Sequence, residues 1–323
     1  MTRLSVISLF LFIGQISFAQ QTNNDADKKN DTTIFIDNKK LTLPDVWVRN
    51  NFDYKKLLQQ IKDDTTFYKA FRNLRILNFS SYNDIKMLEK SGAVKASLYS
   101  KTKQIRSNGC RTMEVLEQNI TGDFFDEKGN YNYLTPELYA GLFFTKDKIC
   151  GENNIVKGRN LTVSDKKGMD KYKEQLKMLF FNPGKKIPGI PFIGNKLDLY
   201  DDHARKIYDY KLDIVEYQGK LCYQFSIVPK EDLSLFRKDE IVVDEMITWF
   251  EIKSLEVLAR NYSLSYKAGV YSFDVSMEVE MTKIDDLTVP KVLRYKGNWD
   301  VIFKKRERAL FTATLFDFKK EIQ

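Results

Sequence analysis

Histidine is nearly absent from this chain. Its 323 residues hold one, His203, and only three cysteines, Cys110, Cys150 and Cys222. A triad or dyad using histidine would have to use that single imidazole. It lies in DLYDDHARK beside no nucleophile elbow, and no GxSxG occurs. The lack of HExxH and of CxxC argues against a zinc hydrolase and a dithiol redox site. Asp198, Asp201, Asp202 and His203 have the composition of a carboxylate–imidazole metal site. Sequence neighbours rarely all point at one centre, so the stretch reads as a solvated turn. No glycine-rich phosphate loop stands between a strand and a helix. Neither a cofactor nor a metal is expected.

Long apolar runs are also missing after the first residues. None approaches the roughly 20 residues that a membrane-spanning helix needs. The start of the chain differs. Arg3 precedes a mostly apolar Leu4–Ile16, and Ser17-Phe18-Ala19 puts small residues at the −3 and −1 positions of a cleavage site. This predicts a signal peptide over 1–19, cleaved near Ala19 and too short at its apolar core to be a membrane anchor. The expected address is the periplasm or the outer-membrane periphery of a bacterium. Without Arg3, 51 basic residues stand against 44 acidic ones, a net charge of +7. An exported basic protein meets anionic lipid headgroups or envelope polysaccharide rather than nucleic acid. The densest basic run, Lys304-Lys305-Arg306-Glu307-Arg308, reads as a solvated turn, with an anionic contact as the alternative.

Export permits a disulfide, and an odd count leaves at least one thiol free. Cys222 lies in the strand-like LCYQFSI and is the least obvious partner. The expected bridge is Cys110–Cys150.

What is abundant is alternation. Tyr271, Phe273, Val275, Met277, Val279 and Met281 are apolar, and the residues between them, through Thr282, are polar. Period two marks a strand with one greasy and one wet face, hence an antiparallel, half-buried one. Its wet face carries Glu278 and Glu280, about 7 Å apart along the strand. Glycosidase acids have comparable separations, but so does any exposed strand. The same style fills the C-terminal third. Tyr208, Tyr210, Leu212 and Ile214 face one way, Gln218-Gly219 turns the chain, and Leu221, Tyr223, Phe225 and Ile227 return. Strands over Glu240–Ile252, Val257–Tyr266, Val289–Tyr295, Trp299–Lys304 and Ala309–Phe318 complete a meander.

Earlier in the chain, 20–33 is polar and reads as a flexible leader, and 34–52 as a preface of two short strands. Asp53 can cap a helix carrying Leu57, Leu58 and Ile61, and Phe67, Phe71 and Leu74 mark a second helical segment. Strands are expected over Arg75–Phe79, Val94–Ile105 and Thr112–Asn119. A hairpin turn follows at Asp126–Asn130, then a helix with Pro136 at its first position. Another helix runs from Ser164 or Asp165 to Phe181. In KKIPGIPFIGN, Ile187, Ile190, Phe192 and Ile193 sit in a Pro/Gly frame. They form either a plug at the end of the sheet or a mobile lid. The expected organisation is one α+β domain over 53–323 with an insert at about 120–200. It is built on a large, strongly curved antiparallel sheet with helices covering its open side.

The hairpin Tyr208–Ile227, the strand Tyr271–Met281 and the ending Pro290–Phe318 together resemble the periplasmic outer-membrane lipoprotein carrier and receptor (Lol-type) fold. The resemblance spans about Asp53 to Phe318 and is one of pattern. It implies an incomplete β-barrel with helices lidding its open side and acyl chains held against the apolar inner face. The chain departs from the family by its extra material at 20–52 and 120–200, and no single arginine here matches the family's barrel-gating arginine. On this basis the expected function is a non-catalytic carrier or binder of a lipid-like or lipoprotein acyl ligand. Tyr208, Tyr210, Leu212, Tyr271, Phe273, Val275, Met277, Val279 and Met281 would form its cup, with Ile187, Ile190, Phe192 and Ile193 as the lid. An adaptor working with an outer-membrane protein partner is the alternative, motivated by the leader, the strand preface and the basic surface. A hydrolase is the third reading.

Overall fold

In the computed structural model the described residues are 32–36, 39–43, 54–156, 178–181, 183–187, 194–268, 271–301 and 306–321. The expected signal peptide, the leader before Thr32, the Asp53 cap, the start of the helix from Ser164, and Ile190, Phe192 and Ile193 lie outside them.

Strands β1 (Thr32–Ile36) and β2 (Lys39–Leu43) form an antiparallel hairpin of their own. Helices α1 (Tyr54–Asp63) and α2 (Thr66–Asn73) follow, then a 3-10 turn over Leu74–Ile76. Next come β3 (Leu77–Leu88), β4 (Val94–Ser107), β5 (Cys110–Thr121), α3 (Leu134–Phe143) and the short β6 (Ile149–Cys150). Residues 178–181 are helical. The rest is α4 (Ala204–Ile207), β7 (Tyr208–Tyr217), β8 (Lys220–Pro229), α5 (Leu235–Lys238), β9 (Val243–Glu251) and β10 (Val257–Ala268). It ends with β11 (Tyr271–Ile284), β12 (Leu287–Val301) and β13 (Glu307–Lys320).

Strands β3–β13 make one 11-stranded antiparallel sheet in the order β6-β5-β4-β3-β13-β12-β11-β10-β9-β8-β7. Two sequential meanders are joined where the last strand pairs with the first of them, with Phe311 opposite Ile85 and Ala313 opposite Asn83. The sheet is open, because β6 and β7 are its edges and do not meet. This is the α+β, incomplete-barrel architecture that the pattern predicts.

The sheet also curls. Laid flat, β4 and β10 would be about 24 Å apart. Yet the Val257 N–H at the start of β10 donates to Thr66 Oγ1, and Gln104 of β4 donates to the Leu74 carbonyl. Thr66 and Leu74 are only about 12 Å apart along the helix. The strands therefore wrap around α2. One inner row runs Ile227, Met246, Tyr262, Met277, Tyr295, Phe311, Ile85, Leu98 across eight strands in register, and all eight side chains are buried.

Three expectations need correction. Strand β3 begins at Leu77 and runs on to Leu88, well past Phe79. Its buried face is polar in the middle, so apolar alternation does not reveal it. Ser81 and Thr102 hydroxyls are 2.7 Å apart, and Asn83 Nδ2 donates to Ser81 at 3.1 Å, so these groups are satisfied inside the sheet. The strands expected at Val289–Tyr295 and Trp299–Lys304 are one strand, β12, continuous through Gly297. The Tyr295 ring lies over that glycine in the space a Cβ would fill, so the residue that looks like a break is a packing site. Helix α3 starts at Leu134, which places Pro136 third. The Glu307 carboxylate of β13 accepts from the Leu134 and Thr135 N–H groups, both at 2.8 Å, and so caps the helix from the sheet.

Candidate functional site

Aromatic side chains from the helices fill the centre of the curled sheet. Phe71 of α2 contacts Phe143 of α3 and both Phe180 and Phe181, with ring centroids 6.2, 5.8 and 4.8 Å away. Tyr139 of α3 lies 4.2 Å from Phe311 and 5.0 Å from Tyr295 on the sheet. Burial raises the Tyr139, Tyr262 and Tyr295 phenols well above their ordinary value, so all three are neutral fillers. Among the described residues, a small void of about 50 Å³ lies beside Leu264, Val275 and Trp299.

The larger space lies to one side. A cavity of about 840 Å³ opens between α2, α3, the Phe125–Tyr131 turn and strands β3–β5. Its apolar wall includes Tyr68, Phe71, Phe79, Phe125, Phe143 and Phe181. Leu138 and Leu142 of α3 line both spaces, while Phe180 lines the void and Phe181, its ring 5.1 Å from that of Phe180, lines the cavity.

The polar part of the cavity wall is basic. Arg72, Arg75, Arg111 and Lys146 line it, with Glu137 as the one lining carboxylate among the described residues. Behind the arginines, Glu152 accepts from Arg75 Nη1 at 2.9 Å and from Arg111 Nε at 2.5 Å. Arg111 Nη1 also donates to Thr145 Oγ1 and to Gln104 Oε1, at 2.5 and 3.1 Å. Burial, followed by the charge of Arg72, lowers the Arg75 guanidinium below its ordinary value. Burial alone would raise the Glu152 carboxyl, but the hydrogen bond and charge of Arg111, aided by Arg75 and Arg72, hold it below. The disulfide fixes this arrangement. Cys110 and Cys150 are directly opposite across β5 and β6 and are bonded (S–S 2.09 Å), one residue before Arg111 and two before Glu152. Cys222 is buried and free.

The residues expected to form the cup fall into two groups. Phe273, Val275, Met277, Val279 and Met281 share the buried face of β11, and Tyr208 and Leu212 are buried on β7. Leu179 and Phe180 cover part of the β11 face, and Tyr262 donates to the Phe180 carbonyl at 3.1 Å. Among the described residues, Val275 of the cup lines the small void, and none of the cup residues lines the larger cavity. Tyr210 is half-buried, and its hydroxyl donates to the Leu199 carbonyl at 2.7 Å. Tyr271 lies at the start of β11, its side chain outside the described residues. Ile187 is buried in the core cluster. Leu221, expected on the inner face, is 65% exposed beside the hairpin turn.

The acids near His203 serve the backbone or a neighbouring side chain, Asp202 pairing with Arg205. Asp198 accepts from the Tyr200 N–H and Asp201 from the Ala204 N–H, while His203 Nε2 lies 3.0 Å from Glu240. Among the described residues no group of three His, Cys, Asp or Glu side chains could hold a metal. Glu278 and Glu280 both meet Arg294 on the outer face, at 3.4 and 2.7 Å.

Sequence reasoning did not single out Arg72, Arg75, Arg111 or Glu152. A signal was available. Arg72 and Arg75 are i and i+3 on the polar side of FYKAFRNLR, and the expected Cys110–Cys150 bridge places Arg111 beside Glu152.

No family model and no curated protein matches the chain. Among solved structures it is similar to a DUF1329 family protein from Desulfovibrio piger, at 13% identity and a TM-score of 0.26, covering 81% of this chain and 94% of that one. It is also similar to a putative outer membrane lipoprotein-sorting protein domain from Vibrio parahaemolyticus, at 6% identity and a TM-score of 0.27, covering 79% and 91%. A third likeness is to lipovitellin, at 8% identity and a TM-score of 0.21, covering 76% of this chain and 25% of that one. At these TM-scores the open-sheet assignment rests on the strand order of this chain itself.

Proposed function

We propose that this is an exported envelope protein that binds an acyl-chain ligand without chemically altering it. The observation that carries the reading is the 840 Å³ cavity with its aromatic wall between α2 and α3. Its volume lies within the roughly 300–1,000 Å³ typical of small-molecule sites, and it combines an aromatic wall with a small number of polar groups, as such sites do. The chain would enter between α2 and α3 and lie against Phe143 and Phe181. Rotating Leu138 and Leu142, which line both spaces, would join the cavity to the void and extend the site to Val275 on the β11 face.

The test is native purification from a bacterial envelope, followed by mass spectrometry of a solvent extract. A stoichiometric acyl species is expected, together with its loss in Phe143→Glu at unchanged secondary structure. A folded protein that carries no such species and takes up none when offered decanoate would overturn the reading.

A second reading, an adaptor for an outer-membrane protein, is favoured by β5. Beyond Arg111, among the described residues, this strand pairs on one side only, and Val115, Leu116 and Ile120 are exposed. A free edge of this kind can accept a partner strand. Val115→Lys with Leu116→Pro should abolish recovery of such a partner, and unchanged recovery would remove this surface from consideration.

A further inference from the structure

Charge at the cavity is out of balance. Among the described residues, four cationic side chains, Arg72, Arg75, Arg111 and Lys146, stand against two carboxylates, Glu137 and Glu152, a net charge of +2. Three guanidiniums gathered around one carboxylate repel one another, and burial makes that repulsion more costly. Their donors are not used up. Arg72 Nη2 donates to the Asn153 carbonyl at 2.9 Å, but Arg72 Nε is buried with no acceptor among the described residues. Planar guanidiniums with free donors, held at the edge of an apolar cavity, match the oxygens of a phosphate, sulfate or carboxylate.

We propose that Arg72, Arg75 and Arg111 are the headgroup site for an anionic single-chain amphiphile, whose tail occupies the aromatic part of the same cavity. This rests on the acyl-binding reading above and adds the sign and place of the head. The anion supplies the charge that Glu152 alone does not. The disulfide contributes by holding Arg111 and Glu152 in fixed positions, so the basic edge exists before the ligand arrives. Such preorganisation lowers the cost of binding.

The experiment is titration calorimetry of the whole mature chain with three probes below their micelle concentrations: decyl phosphate, decyl maltoside and inorganic phosphate. Decyl phosphate should bind about tenfold or more tighter than decyl maltoside, the scale of one or two charge-assisted hydrogen bonds. Arg72→Gln, which loses one backbone contact, should remove most of that preference and leave decyl maltoside within about twofold. Glu152→Gln should move the preference the other way. A preference that falls on raising the salt concentration, measured on the unaltered protein, gives the same answer without a variant. Equal binding of the two decyl probes would overturn the headgroup site and leave the acyl reading standing. A preference that survives Arg72→Gln unchanged would remove it from this cluster. Inorganic phosphate binding as tightly as decyl phosphate, or no binding by any probe, would overturn both the headgroup site and the acyl reading.

Discussion

Arg260 Nη2 lies 3.4 Å from Asp64 Oδ2, with 10% and 6% of the two side chains exposed. The pair ties the α1–α2 junction to the inner face of β10. Arg260 Nε donates to Thr248 Oγ1 on β9, and its guanidinium lies over the Phe67 ring at 4.4 Å. On the other side, Asp64 Oδ1 accepts from the Thr66 N–H and hydroxyl at 2.7 and 2.6 Å. One carboxylate thus starts a helix and neutralises a buried cation. Removing it leaves that cation uncompensated in a low-dielectric site. Asp64→Ala is expected to destabilise the fold by about 3–5 kcal/mol, measured as a lower urea midpoint. Asp64→Asn keeps an acceptor and should cost less. An unchanged midpoint for the alanine variant would mean the pair contributes nothing net.

The Tyr295 ring occupies the space above Gly297, and Tyr295 hydrogen-bonds to Trp299 Nε1. A branched side chain at 297 would push the ring into Tyr139. Overpacking of this kind costs about 1–3 kcal/mol. Gly297→Val is therefore expected to lower the Tm and shift Trp299 emission. A variant with the parent's melting curve and spectrum would show that the ring moves freely.

Glu152 makes a pH dependence. Its folded value lies below the ordinary 4.5, so the stability it contributes is fully present above that value. It is lost as pH falls through the lower, folded value, where the protonated carboxyl no longer offsets Arg75 and Arg111. The Tm of the parent should thus fall more steeply below about pH 4.5 than that of Glu152→Gln. Parallel Tm–pH curves would contradict this. Arg75 shifts in the same cluster but stays charged throughout this range.

The Cys110–Cys150 bridge closes a 40-residue separation that contains α3 and the Phe125–Tyr131 turn. Cys150→Ser is expected to cost about 2–4 kcal/mol, read from chemical unfolding under oxidising conditions. It should also loosen residues 149–154, seen as faster amide exchange there than in β9–β13. Uniform exchange across the chain would show that the segment is held by other contacts.

Several features follow from local sequence because local physics decides them. The unbroken alternation of Tyr271–Thr282 could only be a half-buried strand. Gln218-Gly219 makes the β7–β8 turn, where both residues adopt positive φ, 51° and 76°, a conformation glycine takes without strain. The stripe Phe67–Phe71 could only be a helix with one side inward. The polar, buried middle of β3 could not be read this way. Ser81 and Asn83 look like loop residues until Thr102 and Ser100 are brought opposite them by strand pairing. Nor could the join of β13 to β3, since pairing between strands more than 200 residues apart leaves no periodic trace. The cavity is decided in the same way. Its arginines come from a helix, the 3-10 turn after it and a strand, and their carboxylate from beyond a disulfide. Side-chain period is a property of each segment, but charge density is a property of the place where segments meet. Sequence alone determined most of the strands, the longer helices and the open-sheet class. Only the tertiary structure decided that the middle of the sheet is filled by Phe71, Tyr139 and Phe180, and that a cavity of about 840 Å³ lies beside Arg72, Arg75 and Arg111.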